Sequence, residues 1–171
     1  MKIILVGYMA VGKSTIGSLL SEKLNYKALD LDKIIEKKLN LSIPEIFKTK
    51  GELFFRRMEH EIFKEILEEF DDCVISTGGG TPCYANNHLL LNGDKIKSFY
   101  LKAPIALIVE RLLKEKKHRP IIATKTDEEL NDFVAKHLFE RSYFYSKADS
   151  TILIEGKAPE DIVSEIAEFL N

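Results

Sequence analysis

Little in this chain suits a membrane, an oxidising compartment or a nucleic acid. It has only two cysteines, Cys73 and Cys83, and their spacing fits neither a zinc knuckle nor a CxxC redox pair. Two free thiols in a reducing compartment are expected. Long apolar runs are missing. The first, within Lys2 to Val6, is about five residues, against the roughly 20 of a membrane span, and is also too short for a signal-peptide core. A soluble, cytoplasmic protein with no membrane partner is expected. An excess of basic charge is missing too. With 25 Lys and Arg against 27 Asp and Glu, the formal net charge is −2, so no nucleic-acid partner is expected. Internal repeats, low-complexity stretches and linkers are absent, and the 171 residues read as one domain, 1–171. With 45% hydrophobic and 30% charged residues, the chain has enough apolar surface for a core and enough charge for solubility.

What is present is an alternation of strand and helix patterns. Lys2 to Val6 is short, apolar and β-branched, and ends at Gly7, as a buried parallel strand does. Ile16, Leu19, Leu20 and Leu24 form a helical stripe within Gly12 to Leu24. Further strands are expected at 27–31, 73–76, 96–101 and 151–154. Helices are expected at 32–39, from Ser42, at 52–70, 88–91, 104–117, 127–145 and 159–170. Ser42, Pro44 and Glu45 make a helix-start signature. This order predicts a doubly wound parallel α/β sheet with helices on both faces. The polar stretch 114–129 is a candidate mobile lid.

The segment GYMAVGKS matches G-x-x-x-x-G-K-[ST] at Gly7, Gly12, Lys13 and Ser14. Such a loop curls its backbone N–H groups around phosphate oxygens, and the helix that follows adds the positive end of its dipole. Lys13 reaches the β- and γ-phosphates and the Ser14 hydroxyl suits magnesium. The loop follows an expected strand and opens an expected helix, the context such a motif requires. Binding of a nucleoside triphosphate with magnesium follows.

The remaining chemistry is scattered. Asp30 and Asp32 close the second strand pattern two residues apart, so both lean to one side and beyond the carboxyl end of the sheet. One could support magnesium through water and the other accept a substrate hydroxyl; alternatively Asp32 simply caps the next helix. In FFRRMEHE, Arg57 and Glu61 are spaced for a surface pair, while Arg56 and Glu59 are spaced for Glu59 to brace Arg56 in a cleft. A guanidinium fork fits a carboxylate; a solvated charge stripe is the bland reading. Gly78, Gly79 and Gly80 suit close approach of a ligand to backbone, or a tight turn. Arg111, Lys116, Lys117, Arg119 and Arg141 are cations, most of them in or beside the candidate lid. A closing arginine neutralises a transferring phosphoryl group, whereas Lys116 and Lys117 read as plain basic surface.

Taken together, GYMAVGKSTIG, the LDLD acids, SIPEIF, FFRRMEHE, STGGG, the HRP arginine, FERSYFY and EGKAP resemble the shikimate kinase family, over nearly the whole chain. The resemblance implies a three-layer α/β/α P-loop fold with five parallel strands in the order 2-3-1-4-5. It implies that ATP is held by Ala10, Val11, Gly12, Lys13, Ser14 and Thr15, with Arg119 reaching over the phosphates and Lys157 and Pro159 at the adenine. One Mg2+ is implied on Ser14 and, through water, on Asp30. Shikimate would be held by Asp32, Arg56, Gly79 and Arg141, supported by Phe47, Phe55, Glu59, Gly78 and Gly80. Lys13, Asp32 and Arg119 would be catalytic, with Asp32 the base. The chain departs from the pattern at Ala10, where most relatives carry a third glycine, and at Lys157, more often arginine; function is expected to survive both. Two other readings are a same-fold kinase with another acceptor, such as gluconate or a nucleoside monophosphate, and a non-enzymatic nucleotide-binding regulator. A nucleotide acceptor needs a base-reading pocket, and a carboxylate clamp at Arg56 and Arg141 argues against it, while a regulator would be expected to lose its acceptor residues, which are all present here. A monomer acting on small molecules is expected.

Overall fold

The computed structural model of the chain describes residues 1–115 and 124–170. Five parallel strands form one sheet in the order β2-β3-β1-β4-β5, as the family resemblance implied. They are β1 (Lys2–Val6), β2 (Lys27–Asp30), β3 (Cys73–Ser76), β4 (Ile96–Lys102) and β5 (Ser150–Leu153). β1 lies in the middle, and Ile3, Ile4, Leu5 and Val6 are fully buried. An uninterrupted apolar run suits a strand covered on both faces.

Seven α-helices surround the sheet among the described residues. They are α1 (Lys13–Leu24), α2 (Leu31–Leu39), α3 (Ile43–Lys50), α4 (Glu52–Glu69), α5 (Ile105–Glu115), α6 (Asp127–Tyr145) and α7 (Pro159–Phe169). α1 packs with α7, and α5 with α6, while α3 and α2 pack on α4. Right-handed crossovers leftward from β1 and rightward from β4 place these two pairs on opposite faces. Ser42 and Glu45 form the expected reciprocal cap of α3, and Thr126 and Glu129 do the same for α6.

Most element ends fall within two residues of expectation. Two differences matter. The second strand stops at Asp30, whose side chain caps α2 by accepting from the Lys33 N–H at 3.2 Å. Asp32 therefore sits in the first turn of a helix and not at a strand end, and it is not the cap. The segment expected to be helical at 88–91 is a 3-10 turn, Asn87–Leu90. Of the candidate lid, Lys114 and Glu115 close α5 and Asp127 opens α6; Lys116, Lys117 and Arg119 lie outside the described residues.

The strand order places the site. In the order β2-β3-β1-β4-β5 the chain leaves β1 to one side, toward β2, and β3 to the other, toward β4, so a crevice opens between the carboxyl ends of β1 and β3. Leu5 of β1 pairs with Ser76 of β3. The loop after β1 and the glycine turn after β3 therefore emerge side by side.

Candidate active site

The loop from Gly7 to Ser14 is built by backbone. Gly12 takes φ 96° just before α1, a value open to glycine and costly to other residues. The turn aims the first N–H groups of α1 into a cleft of about 280 Å³ between the loop and the glycine turn. The Lys13 ammonium donates to the carbonyls of Gly7 at 2.7 Å and Tyr8 at 2.8 Å, which hold it at the centre of the loop. Ala10 takes φ 63°. It adopts the left-handed conformation that a glycine would take without strain, so the departure from the family pattern changes the residue and keeps the turn. The carbonyl of Ala10 accepts from Arg111 Nη1 at 3.0 Å, which brings a second cation from α5 onto the loop.

Ser14 donates its hydroxyl proton to Asp30 Oδ2 at 2.8 Å. The Ser14 oxygen keeps its lone pairs, and the pair forms a compact set of hard oxygen donors beside the loop. That set fits magnesium.

Asp32 stands across the cleft from the loop. It is half-buried, and a Cβ on Gly78 would meet Asp32 Oδ1 at 3.0 Å. Burial first, then Glu59 and Asp30, pushes its carboxyl up to about 6, with Lys13 pulling the other way. A carboxylate with that value is a competent base near neutral pH.

Arg56 and Glu59 meet as their spacing predicts. Arg56 Nη1 donates to Glu59 Oε2 at 2.8 Å, and Glu59 is 1% exposed. The other oxygen, Glu59 Oε1, accepts from Thr81 Oγ1 at 2.7 Å, which locks the carboxylate from both ends. Arg56 Nε is buried without a hydrogen-bond partner, with Glu52 Oε1 3.7 Å away, and the guanidinium lies 3.9 Å from the centre of the Tyr84 ring. The glycine turn fits against it: a Cβ on Gly80 would come within 2.8 Å of Arg56 Nη2. Arg57 faces elsewhere. Instead of the expected pair with Glu61, it stands over the Phe54 ring at 5.5 Å. Phe47 and Phe55 stack with centroids 4.7 Å apart.

Arg141, on α6, reaches the same region and lies 5.6 Å from the centre of the Tyr8 ring. The first loop of the chain and the last long helix thus meet under the cleft, joined again by a 3.0 Å hydrogen bond between Tyr8 Oη and His137 Nδ1. Gly79 touches the phosphate loop, with Met9 N 3.3 Å from where its Cβ would be. Lys157 is in the turn before α7, and its ammonium pairs with Glu165 at 2.5 Å. It does not line the cleft.

The sequence reading missed Thr81, Tyr84 and Tyr145. Thr81 and Tyr84 leave no periodic signal, since their partners lie on α4. Tyr145 does leave one, because it is four residues after Arg141 and so on the same helix face.

The chain matches a family model described as shikimate kinase over residues 9–171. It is similar to the shikimate kinase of Flavobacterium psychrophilum, 50% identical over 169 residues that cover 99% of this chain and 98% of that one. The shikimate kinase of Aquifex aeolicus is 42% identical, covering 97% and 94%. Among solved structures, the shikimate kinase of Bacteroides thetaiotaomicron has a TM-score of 0.92 at 36% identity, covering 99% and 98%. The Acinetobacter baumannii shikimate kinase in complex with shikimate has a TM-score of 0.85 at 32% identity, covering 99% and 92%.

Proposed function

Because the chain belongs to the shikimate kinase family, we propose that it transfers the γ-phosphate of ATP to the 3-hydroxyl of shikimate, giving shikimate 3-phosphate and ADP in aromatic amino-acid biosynthesis. The observation that carries this reading is the position of Asp32. It stands between Lys13 of the phosphate loop and the braced Arg56–Glu59 pair, so a base lies between a triphosphate site and a carboxylate site.

Phosphoryl transfer is mainly alignment and charge neutralisation. Lys13 offers its ammonium to the β- and γ-phosphates, with the N–H groups of the Ala10 to Thr15 loop around them and Arg111 nearby. Asp32 accepts the hydrogen bond of the 3-hydroxyl and takes its proton as the new O–P bond forms; the bond from phosphorus to the bridging oxygen of ADP breaks. Arg56 and Arg141 hold the shikimate carboxylate. Glu59 fixes the plane of Arg56, Phe47 and Phe55 form the apolar wall, and the Gly79 N–H meets the substrate between Gly78 and Gly80.

Ser14, with Asp30 acting through water, would hold one Mg2+, which spreads phosphate charge when bound. Arg119 takes the part of the lid arginine, and Lys157 that of the adenine-side residue, both on family resemblance. The whole chain, 1–171, acts as one kinase domain with a lid at about 114–129, as a cytoplasmic monomer.

ADP release with ATP alone and then with shikimate, gluconate and nucleoside monophosphates decides the matter. Turnover that depends on shikimate is expected. Turnover equal without it, or faster with gluconate, overturns the acceptor.

A further inference from the structure

Below the acceptor half of the cleft lies a buried phenol with no part in the reaction above. Tyr145 is fully buried at the end of α6, and its ring is held against Tyr100 of β4 with centroids 5.1 Å apart. Its hydroxyl donates to the Gly79 carbonyl at 2.5 Å. Arg141 stands one turn earlier on the same helix, four residues away and so on the same face, and its guanidinium and the phenol interact electrostatically.

The chemistry of the three groups fixes which of them donates. A carbonyl only accepts, a guanidinium only donates, and a phenol has one proton and lone pairs to spare. The proton of Tyr145 therefore goes to Gly79, and its oxygen is left able only to accept, which suits the guanidinium of Arg141 beside it. The phenol must stay neutral to do this, and burial pushes its pKa well above the ordinary value.

We infer that Tyr145 is the positioning residue of the acceptor site, tying Arg141 to the Gly78–Gly80 turn so that the two present their donors in one register. This rests on the reading of Arg141 and Gly79 as shikimate contacts. A guanidinium has five N–H donors, of which a carboxylate takes two in parallel. Tyr145 occupies one of the others and so selects which edge of Arg141 faces the cleft. On the other side it holds the Gly79 carbonyl, which fixes the Gly79–Gly80 peptide and with it the turn that carries the Gly79 N–H.

The test is steady-state kinetics of Tyr145→Phe, which removes one oxygen and keeps the ring. The KM for shikimate is expected to rise about tenfold, with kcat and the KM for ATP within about twofold, the size expected for one hydrogen bond to a charged group. In an Arg141→Ala background the same change should raise KM by less than about threefold, since its partner is already gone. An unchanged KM for shikimate, a parallel rise in both KM values, or full additivity with Arg141→Ala each overturns the inference. Should Tyr145→Phe fail to fold, wild-type protein carrying 13Cζ-tyrosine decides: shikimate alone should shift the resonance of the buried phenol, and no shift overturns it. If wild-type turnover is independent of shikimate, it is the acceptor reading that fails. If wild-type turnover depends on shikimate and Tyr145→Phe is normal, only the role of Tyr145 fails.

Discussion

The two halves of the cleft are built in different ways. The proposed phosphate half is mainly backbone, supplied by consecutive residues from Gly7 to Thr15, and its central side chain, Lys13, is held by carbonyls of that loop. The proposed acceptor half is mainly side chains, drawn from the starts of α2 and α4 and the end of α6, set around the backbone of the glycine turn after β3. A backbone site asks only that the turn keep its shape, so it accepts alanine at position 10 in a left-handed conformation. A side-chain site asks for particular groups and for the partners that hold them, as Glu59 and Thr81 hold Arg56.

The sharpest way to break this division is Asp32→Asn. Turnover should fall by about 10²–10⁴ from the loss of a general base, while ATP titration gives wild-type affinity; a matching loss of ATP affinity would show the halves are not separable. Next in size is Arg56→Ala. Losing a charge-assisted pair of hydrogen bonds of about 2–3 kcal/mol should raise the KM for shikimate roughly 30- to 150-fold with little change for ATP. Arg56→Lys should recover only part of this, because an ammonium lacks the fork.

The pH profile sharpens the comparison further. With Asp32 as the proposed base and its carboxyl raised to about 6, kcat/KM for shikimate should drop about tenfold per unit as pH falls below that value. Stability runs the other way. A folded pKa above the unfolded one means that ionised Asp32 destabilises the fold above pH 6, a cost that vanishes as pH falls toward the unfolded value. Asp32→Asn should therefore gain about 1–3 kcal/mol at pH 8 and nothing near pH 4, read from denaturant midpoints. A stability gain equal at both pH values would place the carboxylate outside that electrostatic setting. The smallest effect belongs to the backbone half: Ala10→Gly should stabilise by about 0.5–1 kcal/mol by relieving a left-handed alanine, with kcat/KM within about twofold. A large kinetic change there would mean that the Ala10 methyl matters to the nucleotide and not just to the turn.

Much of this was legible in the sequence because it is local. The phosphate loop, the capping boxes of α3 and α6, and the extents of β3 and α6 depend on residues a few positions apart. Asp32 was harder to place. It could be read as a substrate contact or as the cap of α2, and only the folded backbone shows that Asp30 is the cap. Arg57 was spaced for a partner that it does not meet, since exposed ion pairs are weak and an aromatic face lies nearer.

Residue order alone decides the alternation of strands and helices and the loop that curls around a triphosphate, because both follow from hydrogen bonds and sterics within short stretches of chain. Folding in three dimensions decides the acceptor half. The order β2-β3-β1 brings Asp32, Gly79 and the phosphate loop to one crevice, and α6 returns to set Arg141 and Tyr145 beneath it. The basicity of Asp32 belongs to the same category, since it arises from burial and from Glu59 on another helix, neither of which exists until the chain has closed.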